Sequence, residues 1–173
     1  MKIETYEAGI STVDYIDKYV DIGGFLEMCK ACDCYNNKWS CPPFDFSPRE
    51  YWENYDNLYF LGKKIIFDDE EKENWKENLT AVKDQLTEEL FAKEREFPGS
   101  VSLSAGNCEI CGEDNCTKPQ CQPCRYPDKM RYSIESLGGN VGLTASKLLG
   151  IELKWMTDGE LPEYFVLVGG LLY

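Results

Sequence analysis

The side chains able to do chemistry in this chain are thiols. Cys29, Cys32, Cys34 and Cys41 form one group and Cys108, Cys111, Cys116, Cys121 and Cys124 a second, in a sequence without histidine. A thiolate is a soft donor, and four around a point select zinc or an iron-sulfur cluster over magnesium, calcium or manganese, which take oxygen ligands. The first group reads C-x2-C-x-C-x6-C-P-P. A cysteine followed by proline also closes the bacterial ferredoxin run, and Pro42 and Pro43 leave the site stiffly because proline fixes its backbone and has no N–H. The second group reads C-x2-C-x4-C-x4-C-x2-C and permits several ligand sets. Cys108, Cys111, Cys121 and Cys124 make two C-x2-C pairs, as in a zinc knuckle pair, with nine residues between them where ribbons have about 15 to 20. Cys116, Cys121 and Cys124 instead match the plant-type C-x4-C-x2-C spacing, which needs a distant fourth thiolate. Five thiols exceed one tetrahedral zinc. The surplus points to a cluster bridging both segments, to a spare ligand, or to two four-iron clusters that leave one cysteine free.

Composition weighs against other uses of the thiols. Nine cysteines in 173 residues is an odd count, below the roughly 8–10% of small disulfide scaffolds. The sequence shows no signal-peptide pattern and no apolar run near the roughly 18 residues of a membrane helix. A soluble, cytoplasmic protein with reduced thiols is therefore expected. The formal charge of −13, from 31 acidic and 18 basic residues, argues against nucleic acid or anionic membranes as partners. It suits a redox protein partner with a basic face. Arg125 and Arg131 follow the second group and are candidates to stabilise sulfide or thiolate charge, or to receive an anionic substrate; surface pairing with Asp128 or Glu135 is the structural alternative. A hydrolytic triad is unsupported without histidine or G-x-S-x-G. Gly138, Gly139 and Gly142 make neither G-x-G-x-x-G nor a Walker A loop.

Local patterns supply the elements that carry the thiols. Ser11 caps a predicted helix to Val20, with Val13, Ile16 and Val20 on one face and Gly23 and Gly24 breaking it. Ser47, Pro48 and Glu50 start a second, followed by Tyr51, Trp52, Tyr55 and Leu58 at helical spacing. Lys64 to Phe67 reads as a strand. Asp68 with Glu71 caps a long helix carrying Trp75, Leu79, Val82, Leu86 and Leu90, which Pro98 and Gly99 end. Val101, Leu103 and Ala105 alternate with serines as a half-buried strand running into Cys108. Ser133 to Leu149 is helix-compatible but interrupted at Gly138 and Gly139. Ile151–Met156 and Tyr164–Tyr173 read as closing strands joined by a turn at Asp158, Gly159 and Pro162. Tyr35, Trp39, Phe44 and Phe46 read as core aromatics that also shield the first thiols. The expected fold is α+β: one domain over residues 1–173, with a small mixed or antiparallel sheet covered by helices and cysteine-rich metal-binding loops.

Cys32, Asp33, Tyr35, Cys41, Pro42 and Pro43, with Gly106, Cys108, Cys111, Cys124, Arg125, Pro127, Arg131, Ser133, Glu135 and Gly138, resemble the signature of the predicted metal-binding proteins called domain of unknown function 2284. The resemblance runs from Cys29 to the terminus and implies an iron-sulfur cluster, most simply 4Fe-4S, with no established reaction. It ranks Cys29, Cys32, Cys41, Cys108, Cys111 and Cys124 as ligands ahead of Cys116 and Cys121, with Cys34 last. It also expects glycine where this chain has Asn36. Electron transfer or redox sensing is the function expected; the alternatives are a zinc-binding structural or interaction module and a metal-dependent enzyme of unknown reaction.

Overall fold

The computed structural model describes residues 1–112 and 114–173. Strands β1 (Lys2–Ser11), β2 (Asn57–Ile66), β3 (Val101–Leu103) and β4 (Phe165–Leu172) form an antiparallel sheet in the order β1-β2-β4-β3. β2 is the hub. Leu58 lies opposite both Ile10 and Leu172, and Ile65 opposite both Ile3 and Phe165. Side chains alternate across a strand, so β2 serves two cores. Leu58 and Phe60 join Tyr15, Trp52, Ile134 and Leu137 on one face. Leu61 and Ile65 meet Leu86, Leu90 and Val82 on the other.

The second face is covered by α5 (Trp75–Glu96), whose Val82, Leu86 and Leu90 recur at four-residue steps. Glycine lets it come close: a Cβ on Gly169 would stand 2.6 Å from Leu90 Cδ1. The first face is covered by α1 (Thr12–Tyr19), α3 (Pro48–Glu53) and the 134–151 segment. Trp52 Nε1 donates to the Leu137 carbonyl at 2.9 Å, and the hydroxyls of Tyr15 and Thr144 share a 2.8 Å hydrogen bond. These bonds satisfy polar atoms that would otherwise be costly to bury.

The α+β expectation holds, and several boundaries are corrected. Gly23 and Gly24 do not break the chain but lie inside α2 (Ile22–Lys30), because the Asp21 side chain caps that helix by accepting from the Gly24 N–H at 2.9 Å. Tyr55 and Leu58 fall outside α3, since cross-strand pairing of Leu58 overrides its helical spacing. Asp68 and Glu71 form a full capping box, but on the single turn α4 (Asp69–Lys72) rather than on α5. Ile151–Met156 is not a strand: β2 and β3 are the neighbours of β4. The Ile151 N–H instead donates to Ala145 O at 2.9 Å. Residues 133–149 form a 3-10 turn (Glu135–Leu137), a left-handed Gly138 with φ 86, and a helical turn at Val141–Leu143 that widens into a π-helical stretch (Thr144–Leu149). No described helix is long and apolar enough to cross a membrane.

Candidate metal centre

The first thiol loop leaves α2 at its last turn and folds almost entirely on its own backbone. Cys29 is in that turn. The N–H of Cys32 donates to Cys29 O, that of Tyr35 to Cys32 O, those of Asn37 and Lys38 to Cys34 O, and that of Cys41 to Lys38 O, each at 3.0–3.2 Å. Asn36 N–H closes the loop on Pro42 O at 2.8 Å. Asn36 has φ 58, the left-handed region asparagine tolerates better than other side chains apart from glycine; that accounts for asparagine where the resemblance expects glycine. The four thiols act on one another. Burial pushes the Cys34 thiol up to about 11, with added repulsion from Cys41 and Cys32. Burial likewise raises Cys41, which is 8% exposed and feels Cys32 and Cys29, while the Ser40 hydroxyl 3.7 Å away opposes the shift. Cys29 is raised by burial and by Cys32.

The second thiol loop starts five residues beyond β3. Cys108, Cys111, Cys116 and Cys124 line one cavity together with Trp39, Ile110, Tyr126 and Met130. Burial raises Cys108, opposed by the Ile110 N–H, and the charges of Cys124, Cys111 and Cys116 add to the rise. Cys121 stands outside this set. It ends the 3-10 turn Lys118–Gln120 at φ 53, is exposed, and does not line the cavity. Cys116 thus shares a cavity with Cys108, Cys111 and Cys124, and Cys34 feels the charges of Cys41 and Cys32. All nine cysteines are free thiols.

The loops interlock through residues 38–41. Lys38 Nζ donates to Gly112 O at 3.1 Å, Trp39 Nε1 to Thr117 Oγ1 and Gln122 O at 3.1 Å each, and Ser40 Oγ accepts from the Cys108 N–H at 3.0 Å. One residue reaches back. Lys118, 8% exposed, donates through Nζ to Cys41 O at 2.5 Å and Pro43 O at 2.9 Å, with the rings of Trp39 and Phe44 each 5.7 Å away. Burial lowers its pKa, while the charges of Cys41 and Cys116 pull the other way. Two buried ammoniums therefore sit among the thiols: Lys118, within electrostatic reach of Cys41 and Cys116, and Lys38, which acts on Cys34 and lines the second cavity. Sequence reasoning missed Lys118; position 118 lies inside the second cysteine run, and basic residues within such a run were the available signal.

The two arginines occupy different settings. Arg125 Nη1 donates to Asn115 O at 2.9 Å, inside the second loop. Arg131 makes a two-pronged pair with Glu94 of α5, both contacts 2.7 Å, and lies over the Phe91 ring. Burial opposes ionisation of Glu94, but hydrogen bonds from Arg131 and Ser102 hold its carboxyl below the usual range. Arg131 accordingly ties the end of the second loop to the scaffold, where Ser104 N–H also donates to Tyr132 O at 2.9 Å. The four aromatics near the first loop are half-buried rather than deep core. Trp39 walls the second cavity, and Phe44 and Phe46 stack on each other and against Tyr132.

The two thiol groups offer sulfur donors, the kind that suits thiolate-ligated metals better than oxygen-seeking ions. Among the described residues no three cysteine, aspartate or glutamate side chains converge as ligands of a single ion. A family described as "Predicted metal-binding protein (DUF2284)" matches residues 19–173. No curated protein and no solved structure matches the chain. With both thiol loops inside the matched residues, the chain belongs to this family of predicted metal-binding proteins.

Proposed function

We propose that this member of the family carries an iron-sulfur cluster on each quartet, Cys29, Cys32, Cys34 and Cys41 on one side and Cys108, Cys111, Cys116 and Cys124 on the other, and serves in electron transfer or redox sensing. The observation that supports the reading is a cavity lined by Cys108, Cys111, Cys116 and Cys124 beside the loop that carries the other four thiols, with the buried ammoniums of Lys38 and Lys118 between them. Four thiolates per cluster is the usual complement. Such clusters supply one-electron chemistry when bound.

The chain's own residues fit that role. Lys118 offsets thiolate charge at both sites, and a positive group beside a cluster raises its potential. Trp39, Phe44 and Tyr126 limit water access. Cys34 and Cys116 border one cleft of about 1050 Å3, so one thiol of each quartet faces the same surface. That cleft is where we place a redox protein partner; the net charge of −13 favours a basic face on it. Zinc is the second reading, favoured at the second quartet by the size of its cavity. About 10 Å3 is room for one water-sized atom.

Protein prepared without oxygen and assayed for iron, zinc and acid-labile sulfide separates the two. Roughly eight iron and eight sulfide per chain, with visible absorption that bleaches on dithionite, is the expected result. Stoichiometric zinc in a colourless sample overturns it.

A further inference from the structure

Away from the thiol loops, a cavity of about 490 Å3 lies between the first half of β4 and the segment Leu153–Met156. Its walls are apolar, formed by Val141, Leu153, Trp155, Met156, Val166 and their neighbours. A concave site of this volume, apolar with a few polar groups, is the usual form of a small-molecule site. Two polar side chains line it. Lys154 is exposed at the rim. Glu135 is the other, and its Oε2 is buried without a hydrogen-bond partner. An unpaired buried carboxyl oxygen costs free energy that a partner would recover, so it needs a reason to persist.

Two further observations bear on what that partner is. Trp155 is 74% exposed and Met156 46%; neighbouring large apolar side chains left in solvent mark a binding surface. Trp155 lies at the cavity rather than elsewhere on the surface. The second concerns charge. Burial raises the Glu135 carboxyl above its ordinary range, so a cation that pairs with its unsatisfied oxygen favours the ionised form, while the net charge of −13 disfavours carboxylates and phosphates.

We infer that this cavity binds a small organic nitrogen base with an apolar body, its nitrogen paired with the Glu135 carboxyl and its body held against Trp155 and Met156. The site adjoins the first quartet. Glu135 opens the 3-10 turn that packs on α2, the helix carrying Cys29, and its charge acts on the Cys29 thiol. A ligand seated here lies beside the first centre whichever metal that centre holds.

The test is calorimetric titration of the metal-replete protein, prepared without oxygen, with benzylamine, benzyl alcohol and benzoate. These probes share one ring and differ in the head group. Benzylamine binds saturably and at least about tenfold more tightly than benzoate, with the alcohol between. Glu135→Gln removes most of the amine preference. Trp155→Ala weakens all three probes about threefold and, because Trp155 is exposed, does so without disturbing the fold. Absence of saturable benzylamine binding overturns the inference, as does equal affinity for the three probes or unchanged affinity in Trp155→Ala. If Glu135→Gln fails to fold, the Trp155→Ala result and the wild-type probe ranking decide. Iron, zinc and sulfide content of the same sample tests the cluster reading separately, so one result can fail without the other.

Discussion

The two thiol loops differ in how they are built. The first organises itself: consecutive turns from Cys29 to Cys41 use its own N–H and carbonyl groups, and Asn36 closes the loop on Pro42. The second leans on the first. Lys38, Trp39 and Ser40 all reach into it, and it returns Lys118. Local turns cost little loop-closure entropy, whereas a loop held by distant side chains needs those side chains in place first. The first loop is therefore a self-contained backbone unit, and the second is braced against it.

The sharpest way to break this asymmetry is to remove one ligand from each quartet. Cys124→Ser should empty the second quartet and leave the first loaded. Cys41→Ser should empty the first and weaken the second as well, because loss of metal there loosens the adjoining residues 38–40 that reach into the second loop. Metal per chain, measured after gel filtration against a chelator, reads the difference. Equal and independent losses would show the loops to be separate units. Lys118→Met probes the one residue passing the other way. It leaves the carbonyls of Cys41 and Pro43 without their donor, a cost of about 2–3 kcal/mol when a charged donor is lost. Chemical denaturation should show that loss, and both quartets should release metal sooner.

Helix α5 braces the chain on both sides of the second loop, through Lys83, which donates to Asn107 O and pairs with Glu109, and through Glu94, which pairs with Arg131. Glu94→Gln should cost about 3 kcal/mol, the order of a broken, largely buried ion pair. The folded-state carboxyl lies below its usual 4.5, so its contribution is full above that pH and is lost as pH falls through the folded value. The stability gap between wild type and Glu94→Gln should accordingly shrink below pH 4.5. A gap that stays constant in acid would mean that the pair carries no charge-dependent stability.

How much of this was legible from residues follows the same division. Capping at Ser11 and Ser47, the face of α5 and the strand at 165–172 are local patterns, and they read correctly as elements, whereas the Asp68 cap, read as that of α5, belongs to α4. β1 went unread because it is an edge strand: its pairing partners lie more than 40 residues away at Asn57–Ile66, and Lys2, Glu4 and Glu7 dilute its apolar alternation. Ile151–Met156 read as a strand because its composition is strand-like, while the places beside β4 are taken by β2 and β3. At the site, spacing identified every thiol but could not divide the second group, since choosing Cys116 over Cys121 depends on how the chain turns at Lys118–Gln120. The role of Lys118 and the orphan oxygen of Glu135 are products of tertiary placement; the one local signal is that Lys118 lies inside the second cysteine run.

Trp39 measures the dependence of the second loop on the first at smaller scale. Trp39→Phe keeps the ring beside the cavity but removes the N–H shared by Thr117 Oγ1 and Gln122 O, a loss of about 1 kcal/mol. Hydrogen exchange should quicken across residues 114–124 and stay unchanged across 29–37. Quickening in both would show that the first loop relies on the second as well.

The smallest expected effect is the most discriminating for the ligand assignment. Cys121 is exposed, lies at a left-handed turn and is absent from the cavity lined by the other four thiols of its group. Cys121→Ser should leave metal content and stability unchanged, to within about 0.5 kcal/mol for a surface substitution. Cys116→Ser should instead empty the second quartet. Reversal of these two outcomes would return the second group to paired C-x2-C units and, with nine residues between the pairs, to a zinc site. Loss of metal in both variants would mean that the fifth thiol is a ligand in its own right, which a closed four-thiolate site does not allow. Metal content and visible spectrum of these two single variants thus decide the ligand set and, with it, which side of the asymmetry between the loops the chemistry falls on.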